Sequence, residues 1–86
     1  MGETEASRPQ TFGEYRVGIT FNPSGNEMVH TIKTQAAALI DLCHQQAESQ
    51  QAMPNSAETV RLWSLAMTHF EDAAMWAVKA ATKVPR

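Results

Sequence analysis

The chain is 86 residues long, so it holds one domain with a modest core, and a single copy is too small for a large enzyme-like cleft. Seven Lys and Arg stand against nine Asp and Glu, and the resulting formal charge of −2 argues against a protein that neutralises polymeric nucleic acid. Hydrophobic residues make up 43% of the chain and charged residues 19%, which indicates an ordinary folded protein.

The N-terminal segment is polar. Residues 1–14 combine Gly2, Pro9 and scattered charge with little apolar surface, so we predict a flexible tail followed by a single domain over residues 15–86. This acidic start does not resemble a secretory signal peptide, and no apolar run is long enough to cross a membrane. The single Cys43 lies in an apolar stripe and has no intrachain disulfide partner. We therefore expect a cytosolic protein without a membrane partner.

The segment from Tyr15 to Phe21 alternates well enough for a short strand, but the sequence contains no second strand with which it can pair. We therefore predict an extended N-terminal arm. Its aromatic and β-branched side chains need a surface to lie on, which a helix or a second copy would provide.

Signals for a helix start follow the arm. Asn22 and Pro23 offer a cap with proline in the first turn, and Ser24 with Glu27 matches the capping box S-x-x-E. The first long helix is therefore predicted to begin between residues 23 and 26 and to run to about residue 50. Its apolar stripe recurs at steps of three and four residues and consists of Val29, Ile32, Ala36, Leu39, Ile40 and Cys43.

A turn at residues 53–56 separates two helices, because Pro54 cannot continue a helix. Asn55 and Glu58 then form a cap for a second helix, which runs without Gly or Pro to about Lys83. The predicted fold class is all-α, with the extended arm followed by a long antiparallel helical hairpin.

The second helix carries two apolar stripes, and one partner helix can cover only one of them. The first consists of Trp63, Ala66, Met67, Phe70, Ala74, Ala77, Val78 and Ala81, and the second of Leu62, Leu65, Ala73, Trp76 and Ala80. The small residues among them allow helices to approach closely around a symmetry axis. We therefore predict that the hairpin assembles into a symmetric homo-oligomer.

The sequence contains little evidence for a metal site or for catalytic residues. His30, His44 and His69 show no H-x-x-x-H spacing, so we predict no metal site, no cofactor and no catalytic residues. The adjacent Glu71 and Asp72 are typical of a solvated helix face, and no Ser or Cys has an evident base beside it.

Lys33 lies early in the first long helix and follows an arm that carries Tyr15, Arg16 and Phe21. This combination suits a nucleotide, because an aromatic ring stacks on a base and an ammonium group binds a phosphate. The alternative is that Phe21 packs on the helix as a hydrophobic staple and that Lys33 is solvated.

Several short motifs occur in a characteristic order. They are Tyr15-Arg16, the segment 21–24, Ile32-Lys33, Trp63, Thr68-His69, and then Met75, Val78, Lys79 and Ala80. Together, over about residues 15–82, they resemble the second type of phage anti-CBASS protein, whose hairpin is shared with phage antagonists of Thoeris defence. The resemblance implies a homohexamer that sequesters cyclic nucleotide signals without cleaving them. It also implies that cyclic dinucleotides bind between subunits, and that cyclic trinucleotides bind in a second pocket near the threefold axes.

The resemblance assigns roles to particular residues. Lys33 matches the phosphate-contacting lysine, and the stacking aromatic is either Tyr15, which matches by its Tyr-Arg motif, or Phe21, which lies nearer to Lys33 and is slightly preferred. The further residues it places at the ligand are Arg16, Asn22 and Ser24 in the first pocket, and Thr68 and Lys79 in the second.

The predicted function is that of a phage immune-evasion sponge in the host cytoplasm, which binds messengers such as cGAMP and blocks the activation of CBASS effectors. Two alternatives stay open. One is a sponge for cyclic ADP-ribose-type signals of Thoeris systems, and the other is a helical adaptor that binds a host protein through the stripe containing Trp76.

Overall fold

The computed structural model describes residues 8–85, and over that range the chain is helical, with no strand. It contains α1 (Phe12–Val17), α2 (Glu27–Gln51) and α3 (Ala57–Thr82). The two long helices pack against each other along their length, while α1 packs mainly on α2 and also touches α3. The predicted all-α helical hairpin is therefore confirmed. None of the three helices has the length and hydropathy of a membrane span.

The start of α2 lies at the end of the predicted range, but the predicted cap by Asn22 with Pro23 and the predicted capping box of Ser24 with Glu27 are wrong. Asn26 is the N-cap residue, and its side chain accepts a hydrogen bond from the backbone N–H of Val29 at 3.0 Å. Asn22 stabilises the preceding loop instead, because its side chain donates to the backbone oxygen of Asn26 and accepts from its N–H. The helix ends at Gln51, one residue beyond the predicted end.

The turn between the long helices lies where Pro54 predicts it, but the cap of α3 differs from the prediction. Ser56 occupies the N-cap position and makes no side-chain capping bond. Asn55 has a φ of 58°, which is a left-handed conformation that asparagine tolerates better than most residues. The predicted capping role of Asn55 is therefore wrong, because the tight reversal of the chain needs this residue in the turn.

The extended arm is also wrong, because residues 12–17 form a helix. Thr11 and Glu14 make a reciprocal capping box, in which the Thr11 hydroxyl accepts from the Glu14 N–H and the Glu14 carboxylate accepts from the Thr11 N–H. A hydrogen bond from Arg8 lowers the pKa of Glu14, which keeps this carboxylate charged at the positive end of the helix. Gly18, with a φ of 65°, ends α1. The order thus begins before residue 15, while residues 1–7 of the predicted tail lie outside the described residues.

The core forms where α2 and α3 face each other. Ile40, Cys43 and Met67 are buried at its centre, and Val17, Trp63, Ala66 and Phe70 pack around them. This confirms the first apolar stripe of the second long helix. The stripe predicted for α2 is partly wrong, because Leu39 is 43% exposed. The buried face of that helix consists instead of Val29, Lys33, Ala37, Ile40, Cys43 and Ala47.

The second apolar stripe of α3 stays uncovered in a single chain, as the sequence predicts. Leu62, Leu65 and Trp76 are 51%, 42% and 63% exposed, and Ala73 and Ala80 between them are exposed as well. A contiguous apolar face of this kind is typical of a protein–protein contact.

Candidate functional site

A cavity of about 360 Å³ lies where the three helices meet. Each helix contributes part of its wall, so the cavity exists only because α1 folds back onto the hairpin. The lining residues are Tyr15, Arg16, Val17 and Gly18 from α1 and its C-cap, Lys33 from α2, and Glu71, Ala74, Met75 and Val78 from α3.

The position of α1 is fixed by close contacts with α2. The backbone N–H of Gly13 donates to Oδ1 of Asp41 at 2.6 Å, and the ring of Phe12 stacks on His44 with 4.1 Å between the ring centroids. The backbones approach so closely that a Cβ atom on Gly13 would lie 2.1 Å from the carbonyl oxygen of Ala37. These contacts set the direction in which the next turn of α1 presents its side chains to the cavity.

Lys33 is a charged residue inside the fold. Its exposed fraction is only 7%, and its ammonium group donates to the backbone oxygens of Gly18 and Phe21 at 2.9 Å and 2.5 Å. An ammonium group has three N–H donors, so these two bonds leave one. Among residues 8–85 no carboxylate pairs with this cation. The alternative of a solvated Lys33 is therefore wrong.

Arg16 brings a second cation to the cavity. Its Nε donates to Oε1 of Glu71 at 2.5 Å, and its guanidinium carbon lies 5.3 Å from the centroid of the Phe12 ring. The interpretation of Glu71 as part of a solvated face is wrong, because the docking of α1 gives it this partner. With two cations and one carboxylate, the lining is positively charged in a chain whose net charge is negative.

The two candidate aromatic residues approach Lys33 differently. Tyr15 lines the cavity and is 72% exposed. Phe21 is 70% exposed on the loop before α2, with its ring centroid 5.4 Å from the ammonium nitrogen of Lys33, and it is not part of the cavity wall. The structure thus brings Tyr15, Arg16 and Lys33 together around one space, with Phe21 beside it.

Comparison with known families bears directly on this site. Residues 14–82 match the family model described as Acb2/Tad1, hairpin domain, so the match includes all three walls of the cavity. The chain belongs to this family. Acb2/Tad1 hairpin proteins are phage anti-CBASS and anti-Thoeris sponges, and the family is known for binding cyclic oligonucleotides. No curated protein and no solved structure gives a significant match.

Four other residues that the family resemblance assigned to a ligand lie outside the cavity. Asn22 holds the loop before α2, and Ser24 is exposed on the same loop. Thr68 and Lys79 lie on the exposed surface of α3, where the Thr68 hydroxyl donates to the backbone of its own helix and the Lys79 ammonium lies 5.3 Å from the Trp76 ring centroid.

Sequence reasoning missed the contribution of α3 to this site. Glu71, Ala74, Met75 and Val78 recur at steps of three, one and three residues, so they share one helix face. Met75 and Val78 belong to the motifs that resemble the family, but nothing in their chemistry singled them out as lining residues. Over residues 8–85 no group of three or more His, Cys, Asp and Glu side chains is placed to hold a metal ion.

Proposed function

We propose that the protein is a noncatalytic sponge that binds cyclic dinucleotide messengers such as cGAMP and thereby blocks the activation of CBASS effectors in the host cytoplasm. The observation that carries this proposal is Lys33, a cation that is 7% exposed, lines a cavity and has no anionic partner within the described chain.

A buried cation of this kind favours an anionic ligand. Taking an ammonium group out of water costs several kcal/mol, on the order of what a nearby opposite charge can offset. The two backbone oxygens that accept from Lys33 satisfy hydrogen bonds but carry no full charge. A phosphodiester in the cavity would supply the missing charge and accept the remaining N–H.

Arg16 and Tyr15 add further groups that suit a nucleotide. Only Nε of Arg16 is used by Glu71, and its outer N–H groups have no hydrogen-bond partner among residues 8–85, so they are available to a phosphate. The exposed ring of Tyr15 at the rim offers a face on which a base can stack. A cation pair and an aromatic face match a nucleotide better than a simple anion.

The small size of the cavity supports a ligand site to which a second copy of the chain contributes part of the wall. A volume of about 360 Å³ lies near the lower end for ligand pockets, and Tyr15 at its edge is largely exposed. We propose that the chain forms a homohexamer in which the uncovered stripe of α3 is buried and a neighbouring subunit closes the site. The proposal includes a second pocket for cyclic trinucleotides, which the assembly would form around the exposed Thr68 and Lys79 of α3.

Trp76→Ala is expected to weaken the assembly, because the ring is 63% exposed in the single chain and would lose its contact with a neighbour. Light scattering should show a particle of lower mass at micromolar concentration than the unsubstituted protein forms. Ser64→Ala, at an exposed position of the same helix outside this stripe, serves as a control. A monomer before substitution would instead favour the helical adaptor, and an unchanged hexamer would show that Trp76 lies outside the contact.

Arg16→Ala is expected to weaken cyclic dinucleotide binding about tenfold, or roughly 1.4 kcal/mol, because one charged donor to the phosphate is lost. The matched control is Arg61→Ala, since Arg61 also pairs with a glutamate, Glu58, but on the solvated surface of α3. Isothermal titration calorimetry measures both affinities. Equal affinities for the two variants would contradict a phosphate contact at Arg16.

A panel of ligands distinguishes the proposed function from the alternative of a sponge for cyclic ADP-ribose-type signals. Calorimetry with cyclic dinucleotides, cyclic trinucleotides and cyclic ADP-ribose-type molecules should give binding with the dinucleotides. A response to cyclic ADP-ribose-type molecules alone would reassign the protein to Thoeris signals.

A further inference from the structure

Glu71 is the one carboxylate among the described residues that line the cavity, and only one of its two oxygens accepts a hydrogen bond. Oε1 accepts from Nε of Arg16 at 2.5 Å, while Oε2 has no hydrogen-bond partner among residues 8–85. The side chain keeps about a third of its surface exposed. Glu71 therefore lines the cavity with one carboxylate oxygen that is not used by the described residues.

Two further Arg–Glu pairs among residues 8–85 are built differently. Arg8 contacts both oxygens of Glu14 at 3.1 Å and 3.0 Å, and Arg61 contacts both oxygens of Glu58 at 2.9 Å and 2.7 Å. Both pairs are fork-like and lie outside this cavity. Compared with these two, the pair in the cavity is joined by a single hydrogen bond, so one carboxylate oxygen of Glu71 and the outer N–H groups of Arg16 have no partner within residues 8–85.

This arrangement presents donors and an acceptor side by side. The outer N–H groups of Arg16 suit a phosphodiester, whereas an ionised carboxylate can only accept, so the group next to the phosphate must be an O–H or N–H donor. In a cyclic ribonucleotide the donor nearest to a phosphodiester is the hydroxyl on the adjacent ribose carbon. The donor groups of the base lie on the far side of the sugar.

We propose that Glu71 accepts a hydrogen bond from the ribose hydroxyl vicinal to the bound phosphodiester, and so makes the site selective for ribonucleotides over deoxyribonucleotides. This inference rests on the proposed function, because it assumes that a cyclic dinucleotide occupies the cavity. An acidic side chain that holds a ribose hydroxyl is a known solution in dinucleotide sites. A vicinal hydroxyl remains in 3′–5′ and 2′–5′ linked ligands alike, so the selectivity concerns the sugar and not the linkage.

The test compares cGAMP with its bis-2′-deoxy analogue by calorimetry on the purified protein. The unsubstituted protein should bind the ribonucleotide about 10- to 100-fold more tightly, which is the range for a hydrogen bond to a charged group. Glu71→Met keeps an unbranched side chain of good helix propensity but removes the acceptor. In this variant the preference for the ribonucleotide should fall to about twofold or less, because the acceptor for the ribose hydroxyl is gone.

Asp72→Asn is the matched control, because it also removes one negative charge from α3 but at an exposed neighbouring position, and it should keep the full preference. Equal affinity of the unsubstituted protein for both ligands would overturn the inference, whether or not the variant folds. A preference for the ribonucleotide that survives in Glu71→Met would overturn it as well. So would a variant that keeps this preference but changes the relative affinity for cyclic di-GMP and cyclic di-UMP, because Glu71 would then contact a base. If neither ribonucleotide nor deoxyribonucleotide binds, the proposed function itself fails.

Discussion

Gly13→Ala is expected to detach α1 from the hairpin and to weaken cyclic dinucleotide binding about 100-fold. The added Cβ would lie 2.1 Å from the backbone oxygen of Ala37, a contact that no rotation of a side chain can relieve. Overpacking of this kind typically costs about 1–3 kcal/mol. Because α1 carries Tyr15 and Arg16, its displacement removes a stacking face worth about 1–3 kcal/mol together with one cation.

Two measurements separate this effect from general unfolding. Amide hydrogen exchange should accelerate over residues 12–17 while α2 and α3 stay protected, and calorimetry should show the loss of affinity. Gly25→Ala is the control: a Cβ there meets nothing within 4 Å, and unlike Gly13 this glycine has a positive φ, of 63°. It should lower stability by about 1–2 kcal/mol through the left-handed backbone alone and leave α1 in place. Normal binding by Gly13→Ala would show that α1 does not form the site.

Lys33→Met is expected to lower the affinity for cyclic dinucleotides by about 1.5–3 kcal/mol, which corresponds to the loss of a hydrogen bond to a charged group. Methionine fills a similar volume, so the helix face toward the core is kept. The free energy of unfolding should change less than the free energy of binding. Removing a buried charge offsets part of the loss of the bonds to Gly18 and Phe21.

The matched control for this variant is Lys83→Met, which removes the same charge from the exposed C-terminal end of α3. Calorimetry gives the affinities, and thermal unfolding followed by circular dichroism shows that both variants keep their helices. If Lys33→Met binds with full affinity, Lys33 serves only to hold the loop between α1 and α2.

The long helices could be predicted from the sequence because their signals are local. Pro54 places the turn, the amphipathic repeats place both helices to within a residue or two at their C-terminal ends, and the surplus apolar stripe of α3 is evident from its spacing. The stripe of α2 was misjudged for a reason that is not local. Ala37 is buried because Gly13 of α1 packs against it, and a sequence pattern does not show which short element will cover a helix.

The N-terminal region contains two local signals that predict different structures. Alternating β-branched and aromatic residues after Tyr15 favour an extended arm, yet Thr11 and Glu14 just before them match the S/T-x-x-E pattern and form a true capping box. Because this box lies in a polar segment with little apolar surface, composition alone does not indicate a helix there. The left-handed Gly18 then ends the helix after six residues.

The candidate site was predictable only in part. Lys33 and the aromatic side chains were found from their residue types, because cations and rings near each other suit a nucleotide. The partnership of Arg16 with Glu71 joins residues 55 positions apart, so no spacing rule reveals it. Likewise, the burial of Lys33 depends on the loop that folds over it, and that loop supplies both of its hydrogen-bond acceptors.

The central claim is that the protein holds a cyclic dinucleotide without transforming it. The most direct test is to saturate the purified protein with cGAMP, remove free ligand, denature the complex by heat and analyse the released molecule by chromatography. The account predicts that the protein retains cGAMP through the removal step and that the released ligand is intact. Linear product in the released fraction, or no retained ligand at micromolar protein and ligand, would contradict it.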